Sequence, residues 1–411
     1  MPVTIVKADN VDQAAHIARQ AAEILSSGGL IVFPTETVYG VAASCGSERG
    51  VAALRALKNR PTEPFTVHLP EPAAFDRYVG GTVGGTVGGA VGGTAENSPE
   101  SRAGDATDSA VNVGASMMRR LARKVMPGPV TLIVEVSDDE RRASQHAMGW
   151  SDRVVDELYQ NGEIGLRCPD HALGRQILAS VPDPVVASSA NREGQRPPLD
   201  ADQAAQSVGD LVDMVVDGGP CRYGRSSTLA RVGGRDGPLK LTVVRSGTYD
   251  ERYLRKLMRW TLLLVCSGNT CRSPMAAAVA RFMLAERRGL PVDELENAGV
   301  RVLSAGTVAA QAAPATPEAI EALRQIGVDL SGHRAQQLDV DLIREADVIY
   351  CMTESHRRAV IQMLDSARNK THLLDPTGDI EDPLGTGASG YHRCVELIRR
   401  RIEHRLKEQP I

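Results

Sequence analysis

Cys266 and Arg272 stand six residues apart in the segment Val265-Cys266-Ser267-Gly268-Asn269-Thr270-Cys271-Arg272-Ser273-Pro274. A single loop of that spacing can carry both a thiolate and a guanidinium fork, the two groups needed to attack a phosphoryl centre and hold its oxygens. An apolar run, Thr261 to Val265, precedes the loop and an alanine-rich run, Met275 to Glu286, follows it. Strand, tight turn and helix start are therefore predicted. The first amides of a helix lack backbone partners and the helix dipole favours negative charge there, so Ser267, Gly268, Asn269, Thr270 and Cys271 are expected to wrap a phosphate. A helix N-terminus can bring a thiol from about 8.5 down to roughly 3.5 to 7.5, so Cys266 is expected as a thiolate at neutral pH. Ser273 can donate its hydroxyl to that sulfur, and Gly268 and Asn269 tolerate unusual backbone angles.

The elements that must present this loop alternate between strand and helix. Val302 to Thr307 and Asp347 to Thr353 read as strands, Pro317 to Ile326 and Tyr391 to Lys407 as helices, which implies a doubly wound parallel sheet with its ligand at the strand C-termini. The first half reads differently. A helix over residues 11–27 ends at Gly28-Gly29, a buried strand covers Leu30 to Phe33, and a polar loop runs from Pro34 to Gly40. A second helix, near Arg49 to Leu57, leads into Lys58-Asn59-Arg60-Pro61 and a strand at Phe65 to Leu69. Lys58 and Arg60 are expected on one side of an extended segment, facing an anion, and Ser189 and Asn191, again two apart, offer a hydroxyl and an amide. Residues 79–115 are rich in Gly-Gly pairs and read as a flexible insertion, since they hold too little apolar surface to offset ordering. Residues 251–260 read as a short basic linker or helix between a domain over 1–250 and one over 261–411.

Residues 261–411 resemble the low-molecular-weight protein-tyrosine and protein-arginine phosphatase family, whose loop C-x-G-N-x-C-R-S-P is present without a departure. The resemblance implies a cysteinyl-phosphate route in which Cys266 is the nucleophile, Arg272 and Ser273 assist it, and Asp382, in Asp379-Ile380-Glu381-Asp382-Pro383, is general acid and then base. Thr270 stands where tyrosine phosphatases of the family usually carry Ile and phosphoarginine phosphatases carry Thr. It favours phosphoarginine over phosphotyrosine in a protein substrate, with Leu384 an apolar wall that does not decide the matter.

Residues 4–248 resemble the threonylcarbamoyl-adenylate synthase family through Phe33 to Gly40, Lys58 to Pro61, Pro127 to Leu132, Ser188 to Asn191, Ser226-Ser227-Thr228 and Val244 to Gly247. That resemblance implies a twisted mixed sheet and a site for ATP, L-threonine and bicarbonate, with Mg²⁺ carried on the ATP and no protein metal site. Lys58, Arg60, Thr131, Ser189, Asn191 and Ser227 would bind ATP, and Thr35, His68 and Arg167 would frame threonine. The product would pass to a tRNA-modifying threonylcarbamoyl transferase complex. Glu63 departs from the family, whose members often have Asn there.

Composition excludes little else. A formal net charge of −4 over 411 residues gives no general case for binding nucleic acid or membrane. No stretch approaches the 18 or so apolar residues of a membrane span, and Met1 to Asn10 lacks the pattern of a leader, so a cytoplasmic location is expected. Seven scattered cysteines without C-x2-C spacing suit a reduced compartment. Two rivals remain open: an RNA-binding first half without synthase activity, and an arsenate-reductase-like thiol enzyme in the second. The latter needs a relay cysteine near the third strand, where Cys351 has Arg358 rather than a thiol seven residues on.

Overall fold

The computed structural model describes residues 3–80, 117–233 and 240–409, which fall into two units, Met1–Arg255 and Lys256–Ile411. Of the 79–115 insertion, residues from 81 on lie outside the described residues, whereas Val79 is fully buried behind the short 3-10 helix Pro72–Tyr78 and belongs to the folded unit. The second unit begins inside the stretch read as a basic linker, and Glu251–Leu257 of that stretch are helical.

The first unit is a ten-stranded mixed sheet. Its strands are β1 (Ile5–Lys7), β2 (Ile31–Phe33), β3 (Gly40–Ser44), β4 (Thr66–His68), β5 (Val130–Glu135), β6 (Glu163–Arg167), β7 (Val185–Ser189), β8 (Met214–Asp217), β9 (Thr228–Gly233) and β10 (Lys240–Arg245). They pair in the order β1-β8-β2-β3-β7-β4-β6-β5-β9-β10. The helix Val11–Ser26, N-capped by the Asn10 side chain, buries Ile17, Ala18, Ala21 and Leu25, which recur at helical spacing, in a core with Ile31, Phe33 and Val216. The sheet curls strongly. β2 and β4 are separated by two strands, about 14 Å in a flat sheet, yet the rings of Phe33 and His68 meet edge to face with centroids 5.6 Å apart. That curl gathers residues from distant strands around one concavity.

The second unit is a four-stranded parallel sheet of β11 (Trp260–Cys266), β12 (Val300–Gly306), β13 (Val348–Cys351) and β14 (Thr371–Leu373), in the order β12-β11-β13-β14. Every residue of β11 is buried, as a central parallel strand covered on both faces requires. Alternate side chains serve two cores. Leu262, Leu264 and Cys266 pack with the helices Arg272–Arg288 and Gly387–Lys407, while Leu263 and Val265 join Ile343, Ile349 and Val360 on the other face. Truncating such a residue to Ala typically costs about 2–5 kcal/mol. The chain leaves β11 at Cys266, in register with Gly306 of β12, and turns into the helix Arg272–Arg288.

Candidate active sites

The turn after β11 closes around the Cys266 sulfur. Asn269 alone in this loop adopts the left-handed conformation, with φ 55°; Gly268, the other residue expected to need backbone freedom, does not. That kink aims the Asn269 amide N–H at Cys266 Sγ, 3.3 Å away. Asn269 is held on every side: its Nδ2 donates to Ser273 Oγ at 2.9 Å, its Oδ1 accepts from the Gln336 amide at 2.9 Å, and its carbonyl accepts from His333 Nε2 at 2.7 Å. Ser273 Oγ already accepts from Asn269, so its own proton is available to Cys266 Sγ at 2.9 Å in preference to the Ala305 carbonyl at 3.4 Å. Gly306 permits the turn to close, because a Cβ there would lie 2.4 Å from the Ser267 carbonyl oxygen. The helix Arg272–Arg288 has no side-chain N-cap, which leaves its first amides for a ligand. Thr270 is partly exposed, and its carbonyl accepts from the Thr316 amide at 3.0 Å.

One expectation is corrected here. Burial pushes the Cys266 thiol up, and the bonds from Ser273 and Asn269 and the charge of Arg272 oppose that shift without reversing it. Cys266 is 3% exposed, a depth no sequence pattern reports. Arg272 is also engaged elsewhere: one arm donates to the Ile380 carbonyl at 3.0 Å and the other pairs with Asp382. Of the two Asp-Pro pairs near the C-terminus, Asp382 thus lies against the phosphate loop. Asp375 is buried and bonded to Arg401 at 3.0 Å and to Thr377. Cys351, the relay candidate of the reductase reading, is fully buried on β13 with its thiol pushed up by burial.

In the first unit the curled sheet brings Thr35, His68 and Arg167 together. His68 and Arg167 are register partners on β4 and β6, and Arg167 Nη2 reaches Thr37 Oγ1 at 2.6 Å, Glu36 Oε1 at 3.0 Å and Thr35 Oγ1 at 3.5 Å. The Glu36–Arg167 pair is almost wholly buried, and Glu36 Oε2 accepts the Asp170 amide at 2.9 Å. Arg167 Nε is buried without a hydrogen-bond partner. Burial, reinforced by Arg167, pushes His68 down to about 3, so it is neutral at working pH. Its Nδ1 faces the Thr66 carbonyl at 3.1 Å, which can only accept, so Nδ1 carries the proton and Nε2 is left as an acceptor.

Thr131 and Ser227 bond to each other at 3.1 Å, and Arg245 Nη2 donates to the Ser227 carbonyl at 3.0 Å and lies 3.3 Å from its hydroxyl. Partial burial of the guanidinium lowers Arg245, as do the charges of Arg167 and Arg60, so two further guanidiniums act on it. Such a cluster is stabilised by a polyanion. Arg245 was quoted in a family string but carried no role by sequence, since nothing local marks an exposed arginine whose guanidinium strand pairing lays against Ser227.

Lys58 is a second correction. It ends the helix Glu48–Lys58 rather than starting an extended segment, because Asn59 caps that helix in the left-handed conformation with φ 49°. Its ammonium turns inward to the carbonyls of Ser189 at 3.0 Å and Asn191 at 2.6 Å, with Asn191 Oδ1 at 3.4 Å, while Arg60 is exposed. Burial, then Arg60, lowers Lys58 to about 8. The Asn191 amide is likewise committed, with Nδ2 donating to the carbonyls of Arg192 and Gln195 at 2.9 and 2.8 Å. Glu63 is exposed, and Arg55 holds only its backbone carbonyl, at 3.1 Å.

Both units have relatives among known proteins. Residues 261–409 match the family model described as low molecular weight phosphotyrosine protein phosphatase, and residues 23–88 and 103–247 match the model described as telomere recombination. The chain is 36% identical over 145 residues to a probable low molecular weight protein-tyrosine-phosphatase, EpsP, of Ralstonia solanacearum, covering 35% of this chain and 91% of that one. It is 35% identical over 157 residues to a protein-arginine-phosphatase of Geobacillus stearothermophilus, covering 37% and 97%. It is 28% identical over 211 residues to a threonylcarbamoyl-AMP synthase of Bacillus subtilis, covering 51% of this chain and 48% of that one, so the match spans about half that relative's length. Two families meet in one polypeptide: the chain belongs to the telomere recombination family through its first unit and to the low molecular weight phosphotyrosine protein phosphatase family through its second.

Proposed function

We propose that the second unit hydrolyses phosphorylated side chains of proteins through a cysteinyl-phosphate intermediate. The observation that carries this reading is the convergence on one loop of a sulfur hydrogen-bonded by Ser273 and Asn269, an uncapped helix start, and Arg272 paired with Asp382. Substrate phosphate exchanges with the Asp382 carboxylate on Arg272 and brings its charge onto the loop amides. Off Arg272, the Asp382 carboxylate takes up the proton of the Cys266 thiol, relayed through the bound phosphate; Cys266 Sγ then attacks phosphorus as the thiolate and the bond to the leaving group breaks, its electron pair taking that proton back from Asp382. Asp382, now ionised, accepts a proton from water as that water attacks phosphorus, and the S–P bond breaks to return thiolate and release phosphate. Thr270 supports phosphoarginine over phosphotyrosine, because its hydroxyl can orient a guanidinium. Acid-quenched enzyme in steady turnover should carry one phosphoryl adduct on Cys266 by mass spectrometry; turnover without it would overturn the covalent route.

The first unit is proposed to make threonylcarbamoyl-AMP. Threonine amine and bicarbonate condense to a carbamate with loss of water; a carbamate oxygen then attacks the α-phosphorus of ATP and pyrophosphate leaves. Arg167, Thr35 and neutral His68 would frame threonine, and the guanidiniums of Arg60 and Arg245 fit the phosphates, with Mg²⁺ arriving on the ATP and sharing their charge. Thr131 and Ser227 would orient the nucleotide, and Lys58 would hold the turn bearing Ser189 and Asn191. A tRNA-modifying threonylcarbamoyl transferase complex would consume the product in the cytoplasm. No helix among the described residues is long and apolar enough to cross a membrane. Pyrophosphate release that needs both threonine and bicarbonate tests this reading, and RNA binding without such release would replace it.

A further inference from the structure

Behind the phosphate loop lies a histidine that the chemistry above does not use. His356 is 5% exposed, yet both its ring nitrogens are engaged: Nε2 lies 2.8 Å from Ser267 Oγ and Nδ1 lies 2.7 Å from Thr353 Oγ1. Ser267 follows the nucleophile directly and is exposed, so the ring reaches the loop from its protein side. The helix Glu354–Met363, which carries His356, is bonded in turn to the segment holding Asp382: the Glu354 amide donates to Asp379 Oδ1 at 2.8 Å. A further bond, from the Ile380 amide to the Met352 carbonyl at 2.8 Å, joins that segment to the same turn.

We propose that His356 is a positioning residue that sets the register of the Asp382 loop against the phosphate loop. In the resting enzyme Arg272 ties the two loops directly, through Ile380 and Asp382. When a phosphate takes the arm of Arg272 that holds Asp382, that tie is weakened at the moment the acid must be placed. The connection Ser267–His356–Glu354–Asp379 does not involve Arg272 and survives the exchange. Burial, with Arg272 adding to it, holds His356 at about 4, so the ring bridges the two hydroxyls as a neutral group at working pH. A misplacement of about 1 Å in a reacting group can cost roughly 10²-fold, which is why a tether one contact removed from the acid matters.

The inference rests on the phosphatase reading, and its test separates the two. Phenyl phosphate needs its leaving oxygen protonated, whereas p-nitrophenyl phosphate releases a stable anion and depends far less on the acid. In His356→Ala, kcat/KM should fall by about 10-fold or more on phenyl phosphate and by no more than about 3-fold on p-nitrophenyl phosphate, since the whole acid contribution is roughly 10² to 10⁴-fold. In an Asp382→Ala background the same change should show no leaving-group selectivity. Equal losses on both substrates, or none, would overturn the proposal, because a merely structural residue lowers the active fraction alike for both. Should His356→Ala fail to fold by circular dichroism, Asp379→Ala, which removes the acceptor at the other end of the connection, must show the selectivity instead, and its absence there counts equally against us. Wild-type enzyme inert on both esters would sink the phosphatase reading and this proposal with it.

Discussion

Ser273→Ala should raise the pKa of Cys266 by about one to two units. The side chain is fully buried and its hydroxyl lies 2.9 Å from the sulfur. A hydrogen bond to a charged group is worth about 1.5–3 kcal/mol, and one pKa unit corresponds to about 1.36 kcal/mol. The sign follows from the forces on Cys266: burial raises the thiol and the Ser273 bonds lower it, so removing the hydroxyl removes a lowering contribution. The change also removes the acceptor of the buried Asn269 Nδ2, so a melting temperature measured alongside must show the variant folded at the assay temperature. Alkylation of Cys266 by iodoacetamide, followed by peptide mass spectrometry across pH, reads the thiolate fraction directly, with Cys266→Ser as blank. The acid limb of kcat/KM should move upward by the same amount. An alkylation midpoint unchanged within about 0.3 unit would refute the account of how this sulfur is ionised.

Asp382→Ala should slow turnover by about 10² to 10⁴-fold, the usual scale for a general acid, whereas Asp375→Ala should chiefly lower the melting temperature, because Asp375 is tied to Arg401 and Thr377; the reverse pattern in steady-state kinetics would show the wrong Asp-Pro was chosen. Thr270→Ile should lower turnover of phosphoarginine while sparing or raising that of p-nitrophenyl phosphate, and equal losses would mean that Thr270 only shapes the loop. Lys58→Ala should abolish most threonine-dependent pyrophosphate release and leave phosphatase turnover intact, since it leaves the Ser189 and Asn191 carbonyls without their buried donor. Unchanged pyrophosphate release would remove Lys58 from the synthase site.

The sequence was most legible where chemistry and local structure share one stretch. The apolar run of β11, the tight turn and the alanine-rich helix mark the phosphate loop without help from the rest of the chain, and Asn269 takes its left-handed angle because its residue type allows it. The same cue was missed at Asn59, where it ends a helix and turns Lys58 inward. Distant pairings left no local mark: Glu36 and Arg167 lie 131 residues apart, and Ser267 meets His356 across 89. Burial was equally silent, since nothing in the residues around Cys266 reports how deeply the fold covers it. The curl that brings Phe33 against His68 depends on strand order across the whole first unit, which alternation along single strands cannot convey.

The pairing of Arg272 with Asp382 makes the enzyme its own first ligand. An incoming phosphate would compete with a tethered carboxylate rather than enter a vacant cationic site, so its apparent affinity would be the intrinsic one multiplied by the fraction of molecules whose guanidinium is already released. A monoanion such as chloride or acetate would have little to offer beyond what the carboxylate supplies, whereas a dianion with three oxygens would gain more from the loop amides. On the proposed route the exchange would also act as an interlock, since the group assigned to protonate the leaving atom would be freed only by the arrival of the substrate that needs it.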